Sequence, residues 1–370
     1  MRWRGRLFSV KEPFDVKGTQ RLFARAMREN CSFQYRSCPE YRRLLKAFSF
    51  APKNLRRVED LGRLPFIPTA NFKQRTMFSV PKRQMLVQAT SSGTSGRFSR
   101  IGLDFGDLWC GLKMVLQIGK WRGLFSLCPT RYIILGYQPH RSNHTAVTKT
   151  AFGATFFAPA VSRVYALKYN VQKQGYEVDL EGIVKALQKY ALRSLPVRFM
   201  GFPSYTYFLL KQMDERGIHL KLKKGSKIML GGGWKQFYKE QVDKEVLYRL
   251  AKKVLDVDEE NVVEFFGAVE HPILYCDCRN HHFHVPVYSR VLIRDVDTLE
   301  PLPMGRLGLV NLLSPMVRST PILSVMTDDL GILHEGGACG CGLDSPYLEI
   351  VGRIGLKEIK TCAAGAAELL

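Results

Sequence analysis

The chain has 370 residues, 46% of them hydrophobic, so it is too long for a single small module and can bury a large core. Lysine and arginine number 55 against 33 for aspartate and glutamate, which gives a formal net charge of +22. The basic residues are spread along the chain without the signature of a nucleic-acid-binding fold, so nucleic acid is not expected as a partner. A solvated basic surface that attracts small polyanions is the simpler interpretation.

No segment of the sequence predicts membrane insertion or secretion. No apolar run reaches the roughly 18 residues of a transmembrane helix, and residues 1–6 lack the apolar core of a signal peptide. The nine cysteines include two closely spaced pairs, which in a cytoplasmic chain favour metal binding over disulfides. We therefore expect a cytoplasmic protein without a membrane span.

The first 80 residues predict helices followed by loops, with residues 64–68 ending the helical part. Further along, short apolar runs bounded by glycine or proline predict buried strands, and apolar residues at helical spacing predict amphipathic helices. The strands are expected at 84–88, 132–135, 197–200, 228–230 and 262–266, and the helices at 180–187 and 246–254. This alternation predicts an α/β layered core with a largely parallel sheet within residues 81–271.

After residue 272 the pattern changes to strands without long helices. The strands are expected at 285–296, 307–313, 322–326 and 347–351. Residues 272–351 are therefore predicted to form a β-rich subdomain, followed by a hinge-like tail over 352–370. With a helical N-terminal region over residues 1–80, packed on the core, this gives four segments.

A run of small hydroxyl and glycine residues follows the first predicted strand of the core. It comprises Thr90, Ser91, Ser92, Gly93, Thr94, Ser95 and Gly96. Glycine lets successive backbone N–H groups surround an anion, and the hydroxyls add hydrogen-bond donors, so the run suits a triphosphate. Its spacing does not fit the Walker pattern, which excludes a P-loop NTPase. An ordinary flexible turn is the alternative for this run alone.

Glycine and acidic residues also follow later predicted strands. They are Gly231, Gly232 and Gly233 with nearby Lys235, then Gly267 to Glu270, then Asp328 and Asp329. In open α/β sheets, ligands bind beyond the carboxyl ends of the strands. Each segment alone could be a tight turn or a surface carboxylate, but their order after the hydroxyl-rich run points to nucleotide chemistry.

A second group of residues has the spacing of metal ligands. Cys276 and Cys278 lie close to His284, and Cys339 and Cys341 follow about sixty residues later. Zinc prefers four tetrahedral thiolate and imidazole ligands. We predict a structural zinc ion held by four of these five residues, with Cys276 as the substitute ligand and no position left open for water. Buried cysteines with surface histidines are the alternative.

From about Cys38 to the end, the order of these motifs resembles the adenylate-forming (acyl-AMP) ligase superfamily. Thr90–Gly96 is similar to its TSSGTTG triphosphate loop, residues 265–270 to its YGxTE adenine and magnesium motif, and residues 327–329 to its TGD ribose motif. Residues 38–41 and 58–65 resemble the phenylacetate–coenzyme A ligase branch, where similar cysteine and histidine elements look like a structural zinc site.

The resemblance implies the large N-terminal α/β domain of these ligases and ATP-dependent conversion of a carboxylic acid, fatty or aromatic, to an acyl-adenylate. It implies ATP, Mg²⁺ and structural Zn²⁺ as cofactors, with Glu270 as the catalytic magnesium ligand and Asp329 on the ribose. The other implied ATP-binding positions are Gly231, Gly232, Gly233, Phe265, Phe266, Gly267 and Arg353. Phe199, Phe202 and Trp234 could line an apolar pocket for the acid or belong to the core.

The sequence departs from the superfamily pattern at its C-terminal end. Typical members continue beyond the position of Leu370 into a lid domain that carries a catalytic lysine. The resemblance therefore implies a chain that lacks most of this lid, in which Lys235, Lys357 or Lys360 supplies the positive charge. Phe266 also stands where the motif has tyrosine.

The length and the segment around Cys362 most resemble the acyl-protein synthetase family of bacterial luminescence. Its members look to take the acyl group onto a cysteine near the C-terminus before a reductase receives it. The resemblance implies Cys362 as the acyl acceptor, with a reductase, an acyl carrier or coenzyme A next. Neighbouring Lys357 and Lys360 favour a thiolate, although the cysteine could also be inert.

A different class of function also fits the composition. The chain could be a zinc-stabilised basic module that binds nucleotide or nucleic acid and has lost catalysis with the lid. Exchange of labelled pyrophosphate into ATP separates the two hypotheses, because only the enzyme catalyses it.

Overall fold

A computed structural model describes residues 2–90, 99–141, 143, 145–234, 237 and 240–353, with the side chains of residues 146 and 147 left out. The chain divides into two compact units. The first contains Met1–Trp121 and Gly267–Leu370, and the second contains Arg122–Phe266. The four segments expected from the sequence divide the chain more finely, and their bounds stay a prediction.

The elements are numbered here in chain order. The helices are α1 (Arg2–Leu7), α2 (Gln20–Ser37), α3 (Pro39–Ala47), α4 (Thr69–Gln74), α5 (Phe105–Trp121), α6 (Ala146–Ala154), α7 (Leu180–Ala191), α8 (Pro203–Glu215) and α9 (Lys244–Leu255). The strands are β1 (Ile67–Pro68), β2 (Met85–Thr90), β3 (Arg100–Asp104), β4 (Thr130–Tyr137), β5 (Ala160–Asn170), β6 (Gly175–Val178), β7 (Val197–Gly201), β8 (Lys227–Gly231), β9 (Val262–Ala268), β10 (His271–Cys276), β11 (Phe283–His284), β12 (Arg290–Arg294), β13 (Leu307–Leu313), β14 (Ser324–His334) and β15 (Tyr347–Arg353).

The second unit is built on a largely parallel sheet, as the sequence predicts. Its strands lie in the order β9-β8-β7-β4-β5-β6, and only β6 runs antiparallel to its neighbour. Short apolar runs such as those of β4 and β7 are buried because helices cover parallel sheets. The core of this unit includes Ile133, Phe199, Leu209, Ile228 and Val254. The α/β fold class is therefore confirmed.

The first unit carries an antiparallel sheet in the order β11-β15-β14-β13-β12, with β1 parallel to β14. The expectation of strands after residue 272 is confirmed, but the bounds of β14 were predicted wrongly. This strand continues to His334 through a register shift between Leu330 and Gly331. The strand was expected to end at residue 326, but it continues through this bulge, so Asp328 and Asp329 lie within a strand.

The prediction that residues 64–68 end the helical part is wrong as well. Helix α4 follows directly, from Thr69 to Gln74, and buries Asn71 and Phe72. Pro68 holds the extended conformation just before the helix, a position that proline tolerates because it needs no backbone donor there.

One buried carboxylate connects the helical part of the first unit to its sheet. The Asp107 side chain is fully buried, and it accepts hydrogen bonds from the Arg4 guanidinium (2.6 Å) and from the backbone N–H groups of Arg318 (2.9 Å) and Ser319 (3.2 Å). Ser319 also donates to the backbone of Gly102 in β3. These bonds fix the β2–β3 hairpin, whose strands flank the hydroxyl-rich run in sequence.

Candidate functional site

Four of the predicted metal ligands converge in the first unit. The ligand atoms of Cys278, His284, Cys339 and Cys341 all lie within 4.8 Å of one another. The Cys278 and Cys339 sulfurs are 3.5 Å apart, and Cys341 Sγ lies 3.2 Å from His284 Nε2. Three thiols and one imidazole at these separations have the donor chemistry and spacing of a tetrahedral zinc site.

The His284 ring is oriented as a ligand by a hydrogen bond on its far side. Its Nδ1 lies 2.6 Å from the carbonyl oxygen of Ser345, which can only accept, so Nδ1 donates. The lone pair of the neutral ring is therefore on Nε2, the atom that faces Cys341. Metal-bound histidines usually have such a partner on the other nitrogen.

Backbone groups support the sulfur atoms. The Asn280 backbone N–H donates to Cys278 Sγ at 3.3 Å, and its side-chain amide donates to the Cys339 carbonyl at 2.7 Å. Gly340, between two of the ligands, has φ +70°, a left-handed conformation that favours glycine. Burial, with hydrogen bonds from the Cys339 thiol to Cys341 and Cys278, raises the pKa of Cys339 to about 12. A divalent cation would remove the cost of holding these sulfurs together as thiolates.

Cys276, the substitute ligand, lies outside the cluster. It is the last residue of β10 and fully buried, whereas Cys278 lies in the turn that follows. His282, which the sequence did not single out, has Nδ1 at 3.1 Å from Cys339 Sγ and stacks on Tyr347 at 4.4 Å. Its position in the run of histidines was the only signal that could have found it.

A second group of charged side chains lies on neighbouring strands of the same unit. Asp329 of β14 pairs in register with Arg353 of β15, with Arg353 Nε at 3.7 Å from Asp329 Oδ1. The Arg353 guanidinium also lies 3.5 Å from Asp328, which accepts a hydrogen bond from Thr69. Two carboxylates thus share one guanidinium.

Burial raises the pKa of Asp329, and the Arg353 charge lowers it again while Asp328 and Glu270 raise it further. Glu270 lies between β9 and β10 and is only 5% exposed. The charges of Asp328 and Glu270 thus act on Asp329 from nearby. Hydroxyl donors and a cation would stabilise the Asp329 carboxylate in its charged form.

The predicted nucleotide-binding residues of the second unit lie on its parallel sheet. Gly231 is the last residue of β8 and pairs with Phe265 of β9. Gly232 and Gly233 follow with φ +84° and +67°, so the chain turns there in a conformation that favours glycine. Phe266 is the next residue of β9, and Gly267 belongs to the first unit.

The aromatic residues considered for an apolar pocket are buried in the second unit. Phe199 belongs to its core, and Trp234 is 8% exposed and packs on Tyr207 of α8 at 5.7 Å. Phe202 is buried at the start of α8, 5.9 Å from Tyr205.

Three sets of predicted site residues lie outside the described parts of the chain. They are the run from Ser91 to Gly96, which follows Thr90 at the end of β2, the candidate lysines Lys235, Lys357 and Lys360, and the candidate acyl acceptor Cys362. Their roles stay predictions.

A sequence model of the acyl-protein synthetase family, LuxE, matches residues 8–370 of this chain. The chain belongs to the LuxE family of acyl-protein synthetases. Two similar proteins are long-chain-fatty-acid–luciferin-component ligases. The one from Vibrio harveyi is 24% identical over 96% of this chain and 90% of its own length, and the one from Aliivibrio fischeri is 26% identical over 93% and 87%.

A phenylacetate–coenzyme A ligase from Thermus thermophilus is 26% identical over 84% of this chain and 64% of its own length. Among solved structures, a 2-hydroxyisobutyryl-CoA ligase in complex with 2-HIB-AMP has a TM-score of 0.68 at 15% identity, covering 93% of this chain and 70% of that one. The ligase fold expected from the sequence is thereby confirmed.

This member of the LuxE family is an adenylate-forming ligase. It activates a carboxylic acid with ATP as an acyl-adenylate and transfers the acyl group to a thiol. The alternative of a binding module without catalysis finds no support in these similarities. No membrane-spanning helix is found within the described parts of the chain.

Proposed function

We propose that this ligase activates a long-chain fatty acid and transfers the acyl group to its own Cys362, from which a reductase or an acyl carrier receives it. The observation that carries the proposal is the family match, which runs to residue 370 and so includes Cys362. Both luciferin-component ligases are named for a long-chain fatty acid.

In the first half-reaction, a carboxylate oxygen of the acid attacks the α-phosphorus of ATP, and the bond to the β-phosphate breaks to release pyrophosphate. The residues from Thr90 to Gly96 would supply the hydrogen-bond donors for the triphosphate. Lys235, which follows the glycine turn of the second unit in sequence, would supply a positive charge. Such donors stabilise developing charge only if they are held in place beforehand. The hydrogen bonds from Ser319 and Thr320 to Gly102 hold the β2–β3 hairpin, whose strands flank this run in sequence.

Asp329 would bind the ribose, because a carboxylate can accept hydrogen bonds from two hydroxyls at once. Arg353 holds that carboxylate on the adjacent strand. Glu270 would hold Mg²⁺, a hard cation that prefers oxygen ligands and neutralises phosphate charge. Its burial next to the Asp329 charge fits a site that binds a cation.

The apolar chain of the acid would lie against the aromatic side chains at the carboxyl ends of β7 and β8. There Tyr205 packs on Phe237 at 5.9 Å, and Phe208 packs on the same ring at 5.0 Å. Ligands of open α/β sheets bind beyond these strand ends.

In the second half-reaction, the Cys362 sulfur attacks the carbonyl carbon of the acyl-adenylate. A carbon–sulfur bond forms, the bond to the AMP oxygen breaks, and the thiol proton passes to solvent.

The cluster of Cys278, His284, Cys339 and Cys341 would hold a structural zinc ion, because all four positions of a tetrahedral ion are filled by protein.

Incubation of the protein with ATP, Mg²⁺ and a radiolabelled long-chain fatty acid tests this function. We expect pyrophosphate exchange into ATP and a hydroxylamine-labile acyl group on the tryptic peptide that contains Cys362. The matched control is Cys128→Ser, which removes an exposed cysteine elsewhere. If Cys362→Ser passes the acyl group to coenzyme A or a partner at the parental rate, Cys362 is not the acceptor.

A further inference from the structure

Helix α5 exposes four large apolar side chains on its outer face. Phe105, Trp109, Leu112 and Leu116 are 70%, 50%, 47% and 47% exposed. A helix packed on a globular core normally presents its apolar stripe to that core. Helix α5 already does so with Cys110, Met114 and Ile118, which are buried. The four exposed residues, here named the α5 stripe, are therefore a second apolar face.

The spacing within the α5 stripe indicates what kind of surface would cover it. The intervals are four, three and four residues, the alternation of a and d positions in a helix–helix seam. A seam of this width fits one partner helix. A helix that lies in a membrane surface exposes a charged or polar face opposite its apolar face, whereas the opposite side of α5 is packed within the protein.

The charges beside the α5 stripe are basic. The only acidic residue of α5 is Asp107, which is buried and paired with Arg4. Lys113 lies 5.6 Å from the Trp109 ring and donates a hydrogen bond to Ser9, and Lys120 is exposed one turn beyond Leu116.

Lys113 and Lys120 thus form a basic border to the α5 stripe. An occupant with acidic flanks would pair with these groups. A second copy of this chain would instead bring the lysines of two α5 helices onto one seam, where like charges repel.

We propose that the α5 stripe is a docking site for an amphipathic helix of a partner protein, with apolar residues at its a and d positions and acidic residues beside them. The inference goes beyond the activity proposed above and does not depend on it. Aromatic and leucine side chains would supply the buried centre of the interface, and the basic border would select the partner by charge.

The test uses the full chain and two synthetic helical peptides of three heptads each. Both peptides have leucine at a and d, but one has glutamate at e and g and the other has lysine. By calorimetry, we expect the glutamate peptide to bind and the lysine peptide not to bind. Trp109→Ala with Leu112→Ala should weaken binding about tenfold or more, as for central interface residues. Lys113→Glu with Lys120→Glu should reverse the preference between the peptides.

The matched controls are Leu127→Ala and Leu192→Ala, which remove exposed leucines (95% and 88%) from other segments and should leave the affinity unchanged. Equal binding of both peptides, or equal losses in the controls, would overturn the proposal. Dimerisation in sedimentation velocity that Trp109→Ala abolishes would assign the stripe to a second copy. Binding to vesicles of phosphatidylcholine and phosphatidylglycerol that the same variant abolishes would assign it to a membrane surface.

Discussion

The Cys/His cluster and the acidic residues around Asp329 belong to the same unit, yet they are stabilised in different ways. In the cluster, four donor atoms converge within 4.8 Å, and hydrogen bonds from Asn280 and to Ser345 orient them. Around Asp329, two carboxylates share Arg353 at 3.5 and 3.7 Å while Glu270 adds further negative charge. We therefore expect the cluster to hold a structural ion and the acidic residues to bind a ligand.

This difference predicts which property each region controls. Changes in the cluster should reduce stability, because its ligands cross-link segments about sixty residues apart. Changes in the acidic group should reduce binding or turnover and leave stability intact or slightly higher. The predictions below test that division, beginning with the largest effect.

Loss of the metal is expected to have the largest effect on stability. Cys339→Ser should lower the free energy of unfolding by about 3–5 kcal/mol, because loss of a metal is among the causes of the largest effects of point mutations; denaturant unfolding measures this change. Elemental analysis should find one zinc ion per chain. Cys128→Ser, at an exposed cysteine, should have little effect. Protein that is purified without added metal, contains no zinc and keeps its melting temperature in chelator would contradict the site.

Glu270→Gln should lower the rate of pyrophosphate exchange by about 10²–10³, as for loss of one charged group that stabilises a transition state. The melting temperature should change little, because glutamine has nearly the same size. Glu264→Gln is the control, since Glu264 forms an ordinary ion pair with Lys244 at 2.6 Å. If Glu270→Gln and Glu264→Gln lower the exchange rate equally, Glu270 has no special role.

Asp329→Ala should weaken ATP binding by about 1–3 kcal/mol, the usual loss for hydrogen bonds to a charged group. Isothermal calorimetry measures this change directly. Asp344→Ala, at a carboxylate that is 81% exposed, should bind ATP as the parent does. An unchanged affinity of the Asp329 variant would exclude it as the ribose ligand.

The smallest expected effect is on the stability of the ligand-free protein. Burial raises the pKa of Asp329 above its ordinary value of 3.8, so the folded protein binds this proton more tightly than the unfolded chain. Stability is therefore lost as pH rises from that ordinary value through the raised one. Asp329→Asn removes this loss. The melting temperature of the variant minus that of the parent should therefore increase over this pH range and stay at the higher value above it. A difference that is independent of pH would contradict the assignment.

The local sequence pattern correctly predicted the strands that are buried on both faces. The apolar runs at 132–135, 197–200 and 228–230 became β4, β7 and β8, because strands buried on both faces need apolar residues throughout. The pattern failed at Thr327 to Gly331, which were expected to follow the end of a strand at residue 326. The chain there continues as β14, since pairing with β13 and β15 outweighs the low strand propensity of these residues.

The sequence by itself determined the kinds of chemistry in this protein. Thiols and imidazoles at metal-ligand spacing, a hydroxyl-rich glycine run and acidic motifs in the order of the adenylate-forming ligases can all be recognised along the chain, because they depend on residue type and on short intervals. Only the tertiary structure decided which residues meet. Strand pairing of β11 with β15 brings His284 to Tyr347, near Cys339 and Cys341, and the turn after β10 selects Cys278 over Cys276. The sequence also did not reveal the exposed α5 stripe. In a helix with two apolar faces, only the assembled core decides which face is covered.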